Sequence, residues 1–311
     1  MADSVRVAVP DLVSPSYFPA IAAVELGCFE REGLDATLEL VFPVTRTCEE
    51  LRDGRLDFVA GAAHAPLYAF EGWNGCKLLA ALAQRMYWFL VVRSDLAARR
   101  GDLAVVRGLR IGAAPGPVDG LTRMLVEAGI DPGRDVRIGP VPGTAGAGVS
   151  FGVAAARALE EGRLDGFWAN GMGAEVALRN GTGSLVIDAR RGDGPAAARD
   201  YTFPAWMTTQ QRIDESPDVV AASVRALVVA QRALAEDPGR ATAVGRKLFP
   251  PAEAALIAEL IRRDAPYYDP AISPRSVAAL NDFARNLGIL HGTPRYEDVV
   301  ATRFQHSWNA C

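Results

Sequence analysis

Short continuous apolar runs alternate with helically spaced apolar positions over the first two thirds of the chain, and glycine or proline marks each change of period. "VRVAVPD" (Val5 to Asp11) is an apolar run closed by Pro-Asp, the pattern of a buried strand. "SYFPAIAAVELGCFEREG" then spaces its apolar side chains as a helix does and stops at Gly33, a C-terminal glycine signal. "ATLELVF" predicts a second strand, "TCEELRDG" a helix ending at Gly54, and "RLDFVAGAA" a third strand. Another helix is expected to begin near His64 to Pro66. The order β-α-β-α-β is that of a parallel sheet with helices on its faces.

The same order recurs. "GLRIGAAPG" is a strand ending in a Pro-Gly turn, "PVDGLTRMLVEAG" a helix closed by glycine, and "DVRIGPVPG" a second strand. "VAAARALEEG" and "RLDGFWANG" complete the five elements. "LRDGRLDF" and "LEEGRLDGF" therefore mark equivalent joints in two similarly built lobes. Gly54 and Gly162 relieve a left-handed helix end, Leu56 and Leu164 open the strands, and Asp57 and Asp165 stay at the strand entrance. This is a structural role, but it is directional, since each phrase introduces a strand whose far end reaches the other side of its sheet.

Two further runs, "MYWFLVVRSDL" (Met86 to Leu96) and "YTFPAWMTT" (Tyr201 to Thr209), are long enough to cross between lobes. Helices are predicted around 216–236, 251–265 and 273–287, forming a C-terminal block packed mainly on the first lobe. The expected division is 1–91 for the first part of lobe 1, 92–203 for lobe 2, and 204–311 for the return to lobe 1 with the helical block.

At 311 residues, half of them hydrophobic, the chain can fill two ordinary cores. A net charge of −4 with scattered Lys and Arg excludes a basic stripe, so no nucleic-acid partner is expected. Cys28, Cys48, Cys76 and Cys311 are far apart and away from histidine, so neither a metal nor another cofactor is expected. No stretch reaches the roughly 18 apolar residues of a membrane span, and "MADSVRVAVP" lacks the n- and h-regions of a signal peptide. The expected location is periplasmic if an export signal has been removed, and cytoplasmic if Met1 is the native start; a monomer is expected.

"SYFPAIAAVELGCFEREGLDATLEL", "LRDGRLDFVAGAAHA", "GLRIGAAPGPVDGLTRMLVEAGIDPGRDVRI" and "ALEEGRLDGFWA", in that order, resemble successive segments of the NMT1/THI5-like substrate-binding proteins, relatives of the sulfonate, taurine, nitrate and thiamine-pyrimidine binders. The resemblance spans roughly Val5 to Thr209. It implies an α/β protein of the type II periplasmic-binding-protein fold: two Rossmann-like lobes joined by two crossover strands. A small organic ligand would occupy the cleft, and an ABC permease would be the partner. Two departures bear on the ligand. Pro10 and Asp11 stand where the pyrimidine binders carry Asn-Trp, and the cysteine-rich cluster of the related synthase is missing. His64 lies within one residue of the position of that synthase's reactive histidine. An enzyme on the same scaffold, desulfinase-, decarboxylase- or pyrimidine-synthase-like and using His64, is therefore the alternative to a pure binding protein. No nucleophile-base pair supports it from sequence.

Ligands of open parallel sheets sit beyond the carboxyl ends of the strands, which selects the loops after Pro10, Ala60, Ala113 and Phe167. The first offers Asp11, Ser14, Ser16 and Tyr17; the second Ala63 and His64; the third Pro115, Gly116, Pro117 and Val118; the fourth Trp168 and Asn170. Small residues at "GAAHAP" and "APGPVDG" suggest helix N-termini open to an anion such as a sulfonate or carboxylate. Two such termini supply at most about 4 kcal/mol, whereas micromolar binding needs about 8 kcal/mol. Apolar burial must supply the rest, with Tyr87, Trp88, Trp168 and Trp206 as the candidate surface.

Overall fold

The computed structural model describes residues 2–144 and 150–309. Strands β1 (Asp3–Val9), β2 (Leu34–Leu40), β3 (Phe58–Ala62) and β4 (Cys76–Ala81) belong to one sheet. Strands β5 (Phe89–Arg93), β6 (Arg110–Ala113), β7 (Arg137–Gly139), β8 (Gly166–Ala169) and β9 (Gly183–Asp188) form a second. β10 (Pro204–Thr209) returns to the first. The orders are β2-β1-β3-β10-β4 and β7-β6-β8-β5-β9, so each lobe receives one strand from the other half of the chain. β10 runs antiparallel to β3 and β4, and β5 antiparallel to β8 and β9. The 91/92 boundary expected from sequence falls inside β5, which pairs with the second sheet from Phe89 onward.

Helices α1 (Phe18–Glu25), α2 (Cys28–Arg31) and α3 (Val44–Arg52) connect the first three strands. Helices α4 (Pro117–Glu127) and α5 (Phe151–Glu160) do the same in lobe 2, and α6 (Gly171–Arg179) follows β8. The segment from His64 does not make the expected helix: Ala65–Tyr68 is a single 3-10 turn. Strands β4 and β9 extend both sheets beyond the five predicted elements of each lobe.

The repeated Gly-Arg-Leu-Asp phrases work as a clamp on the first strand of each repeat, β1 and β6. Asp57 Oδ2 accepts the backbone N–H of Arg6 on β1 (2.7 Å), while the Arg6 guanidinium donates to the Gly54 carbonyl (2.8 Å). In lobe 2, Asp165 Oδ2 accepts both the backbone N–H and Nε of Arg110 on β6 (2.9 Å each), and that guanidinium reaches the Gly162 carbonyl (3.0 Å). The Arg110 guanidinium draws the Asp165 carboxyl down to about 2. The aspartate satisfies an amide at the start of a parallel strand and fixes the arginine that seals the preceding helix end.

The C-terminal third adds α7 (Gln210–Glu215), α8 (Pro217–Glu236), α9 (Arg240–Leu248), α10 (Pro251–Asp264), α11 (Pro274–Asn286) and α12 (Tyr296–Val299). α8 lies on α1 and α2, and its Gln231 donates to the carbonyls of Ala81 and Leu82 at the exit of β4. The block is not confined to lobe 1. Arg263 of α10 and Arg179 of α6 share Glu175, and Arg190 after β9 pairs with Asp264 at 2.8 Å.

Candidate functional site in the interlobe cleft

The carboxyl ends of β1, β6 and β8 converge on a cavity between the lobes. Its lobe-1 side is built from Asp11, Tyr17, Phe42 and Val44, and its lobe-2 side from Ala114, Pro115, Pro117, Phe151, Trp168 and Asn170. Tyr87 and Trp88, immediately before the crossover strand β5, form the floor. The rings interlock. Tyr87 and Trp88 have centroids 4.6 Å apart, Trp88 and Trp168 6.1 Å, and Phe42 stacks on Phe151 across the cleft at 6.0 Å. Tyr17 and Tyr87 share a hydroxyl-hydroxyl hydrogen bond of 2.9 Å, and Trp168 Nε1 donates to the Pro117 carbonyl at 2.8 Å. The polar atoms of Tyr17, Tyr87 and Trp168 are thus tied to protein. The cavity is small, about 40 Å3, so a ring-sized guest fits only with the lobes further apart than they stand here.

Asp11 crosses the cleft. It leaves β1 in lobe 1, its Oδ1 accepts the Val13 N–H (2.9 Å), and its Oδ2 accepts Ser150 Oγ (3.1 Å) and Asn170 Nδ2 (3.0 Å) of lobe 2. Ser150 is the N-cap of α5 and Asn170 that of α6, where Asn170 Oδ1 also receives the N–H groups of Met172 and Gly173. Asn170 approaches so closely because residue 152 is glycine: a Cβ there would stand 2.6 Å from Asn170 Oδ1. Burial pushes the Asp11 carboxyl up to about 6, against the pull of Val13, Ser150 and the first amides of α5. At an effective dielectric of 20, a second anion 4 Å from this carboxylate is repelled by about 4 kcal/mol.

A second pin lies behind the cavity. His64, fully buried, bonds Thr202 Oγ1 through Nδ1 (3.0 Å) and meets the Gly116 carbonyl (3.2 Å) and Asp119 Oδ2 (3.3 Å) of lobe 2 through Nε2. Tyr68 donates to the same Asp119 carboxylate at 2.7 Å. Gly116 holds φ +88° where the lobes touch, and a Cβ on it would lie 2.6 Å from Val44 Cγ1. Only glycine allows this approach.

Of the residues predicted for the site, Asp11, Tyr17, Tyr87, Trp88, Pro115, Pro117, Trp168 and Asn170 line the cavity. The others do not. Trp206 is a core residue, stacked on Phe58 at 5.2 Å with Nε1 donating to Ser223, because β10 turns that face toward α8. Ser14 is spent on a local turn, accepting the Ser16 N–H, and both serines are buried away from the cavity. Ala63 is bonded by its amide to Phe203, and Val118 by its amide to Ala114. His64 and Gly116 act in the lobe contact rather than in the lining.

The open helix N-termini expected at "GAAHAP" and "APGPVDG" are absent. The first leads into the 3-10 turn. The second begins α4 with Pro117, which has no N–H, and the next two amides donate to Ala114 and Gly116. The helix N-termini that do reach the cleft belong to α5 and α6, and the side chains that cap them, Ser150 and Asn170, already donate to Asp11. Phe42 and Phe151 escaped the sequence reading, because Phe42 lies in the β2–α3 connection and Phe151 opens α5, where no local pattern marks a cleft.

Cys28, Cys48 and Cys76 are buried and free, and burial raises all three thiols, Cys76 to about 12; Cys311 lies outside the described residues. Among the described residues no three His, Cys, Asp or Glu side chains group as metal ligands, and no helix is long and apolar enough to cross a membrane.

Two lobes, two crossover strands and a cleft at the strand carboxyl ends define the type II periplasmic-binding-protein fold. The chain belongs to the NMT1-like family, whose model matches residues 4–246. Among solved structures, the alkanesulfonate-binding protein SsuA from Xanthomonas axonopodis pv. citri, bound to MOPS, is 15% identical with a TM-score of 0.73, covering 98% of this chain and 99% of that one. The periplasmic nitrate-binding protein NrtA from Synechocystis PCC 6803 is 12% identical, TM-score 0.76, covering 99% and 88%. The desulfurization enzyme DSZB is 16% identical, TM-score 0.63, covering 99% of each chain. At these identities the likeness is one of fold. No curated protein matches the chain by sequence.

Proposed function

We propose that this protein is a solute-binding protein that closes its two lobes around a small organic molecule and presents it to an ABC-type permease for uptake. The carrying observation is the aromatic cavity of Tyr87, Trp88 and Trp168 at the base of two lobes that are pinned across the cleft by Asp11 and His64. Contacts made only when the lobes meet let ligand burial and closure reinforce each other. The binding roles in the names of SsuA and NrtA support the same reading. An enzyme acting through His64 finds no support in the geometry, since both ring nitrogens are engaged away from the cavity. Of the two ligand descriptions suggested by the sequence, the lining favours the aromatic one, and the buried carboxylate opposes the anionic one.

A thermal-shift screen of aromatic amines, aromatic acids, sulfonates and nitrogen heterocycles tests the proposal. A ligand at a hundred times its dissociation constant adds about 2.7 kcal/mol of stability, and small-angle scattering should show the lobes drawing together. Failure of every class to stabilise the protein overturns the binding reading. Turnover of a bound compound that is lost in His64→Ala would replace it with the enzyme.

A further inference from the structure

The charges around the cavity identify the ligand class more narrowly, an inference that rests on the binding reading above. Among the described lining residues, Asp11 is the sole acid and no Lys or Arg is present; residues 145–149, outside the described set, carry no ionisable side chain in the sequence. We propose that the natural ligand is a small planar aromatic compound bearing a cationic nitrogen, an ammonium or amidinium, and that Asp11 is its charge partner and specificity determinant.

The hydrogen bonding of Asp11 fits this role. Its partners, Val13 N–H, Ser150 Oγ, Asn170 Nδ2 and the first amides of α5, are all neutral donors, so they orient the carboxylate without supplying the opposite charge. The aromatic walls add attraction for the same charge, since the faces of Trp88, Trp168 and Tyr87 carry the negative side of the ring quadrupole. An anion meets the reverse field on both counts.

The other charged or titratable groups nearby do not invert this balance. Arg157 and Arg163 line a separate crevice that Asp11 also borders, with Leu40 and Leu248; neither arginine pairs with Asp11, and Arg163 is engaged by Glu161. Arg190 lies over the Tyr87 ring, 6.0 Å from its centroid, with its charge matched by Asp264. His64 beside Trp88 is matched by Asp119, and the Tyr17 hydroxyl is bonded to Tyr87 and held protonated by burial.

Three ring-matched probes of different charge, benzamidine, benzamide and benzoate, titrated calorimetrically into the full chain, test the proposal. At about pH 7.5 benzamidine should bind at least about tenfold more tightly than either of the others, the factor that 1.4 kcal/mol supplies. Its affinity should fall on acidification to about pH 5, where Asp11 takes up a proton, although benzamidine itself stays charged. Asp11→Asn should erase the preference and leave benzamide within about threefold. Equal binding of all three, or benzoate binding tightest, overturns the ligand class and leaves the solute-binding reading intact. Failure of all three probes and of the wider screen overturns both. If Asp11→Asn does not fold, the wild-type pH dependence decides: benzamidine must weaken and benzoate strengthen as pH falls, and the opposite signs overturn the assignment.

Discussion

Asp11 makes the stability of this protein depend on pH in an unusual direction for an aspartate. Burial raises its carboxyl from 3.8 to about 6, so the folded state holds the proton more tightly than the unfolded chain does. Its contribution is fully present below the unfolded value near 3.9 and is lost as pH rises through about 6. At 1.36 kcal/mol per pH unit the full span is about 3 kcal/mol, most of which is reached on going from pH 7 to pH 4. Asp11→Asn isolates it. The hydrogen-bond partners of Asp11 are all donors, and an amide must turn its NH2 toward one of them, a pH-independent loss of about 1–3 kcal/mol. Urea unfolding of both proteins at matched pH removes the titrations they share, leaving that of Asp11. The wild type should gain on the variant as pH falls from 7 to 4, with the gain setting in near pH 6 and levelling off near pH 4. A difference that stays flat, or that shrinks on acidification, refutes the reasoning, because Asp11 would then be neither desolvated nor bridging the lobes.

Asp165 should behave in the opposite sense: its carboxyl is held near 2 by Arg110, so the stability it gives is complete above about pH 4 and lost as pH falls through about 2. Acid melts of Asp165→Asn should therefore lack a component of about 1.5–3 kcal/mol that the wild type shows. Gly116→Ala should hinder closure, through both its φ of +88° and the 2.6 Å approach to Val44; scattering should report a ligand-resistant, more extended particle, with Val44→Ala restoring part of the compaction. Trp206→Ala should cost about 3–5 kcal/mol of stability while ligand affinity in the folded protein stays within a few-fold, whereas Trp88→Ala should do most of its damage to affinity. An affinity loss in Trp206→Ala equal to that in Trp88→Ala would contradict the core placement.

The architecture was legible because it rests on period and punctuation. Two β-α-β-α-β passages ended by the same phrase produced two sheets of matching order, and the apolar runs at 86–96 and 201–209 contain the strands β5 and β10 that cross between them. The phrase also proved structural in each copy, although its partner, the arginine one residue into the apolar run of each first strand, was not identified from the sequence. Trp168 at the end of β8 followed from the rule that ligands sit at strand carboxyl ends, whereas Tyr87 and Trp88 were singled out as aromatics on the first crossover run; all three line the cavity. The limits were equally physical. Trp206 obeys the same composition argument as Trp88, but which face of a strand meets the cleft depends on the sheet's partners, and β10 turns Trp206 toward α8. "GAAHAP" and "APGPVDG" have the small residues of an anion-binding turn, yet the proline at the start of α4 and the 3-10 geometry after His64 use or remove the amides.

The sequence by itself determined two lobes, two crossings and a cleft with aromatic walls, since these follow from local hydrophobic spacing and helix-ending glycines. Only the tertiary structure decided the sign of the charge in that cleft. Asp11 and Asn170 are separated by most of two lobes along the chain and meet at 3.0 Å across the interface, and it is this meeting, with the burial it imposes, that sets a carboxylate where the sequence suggested a place for an anion.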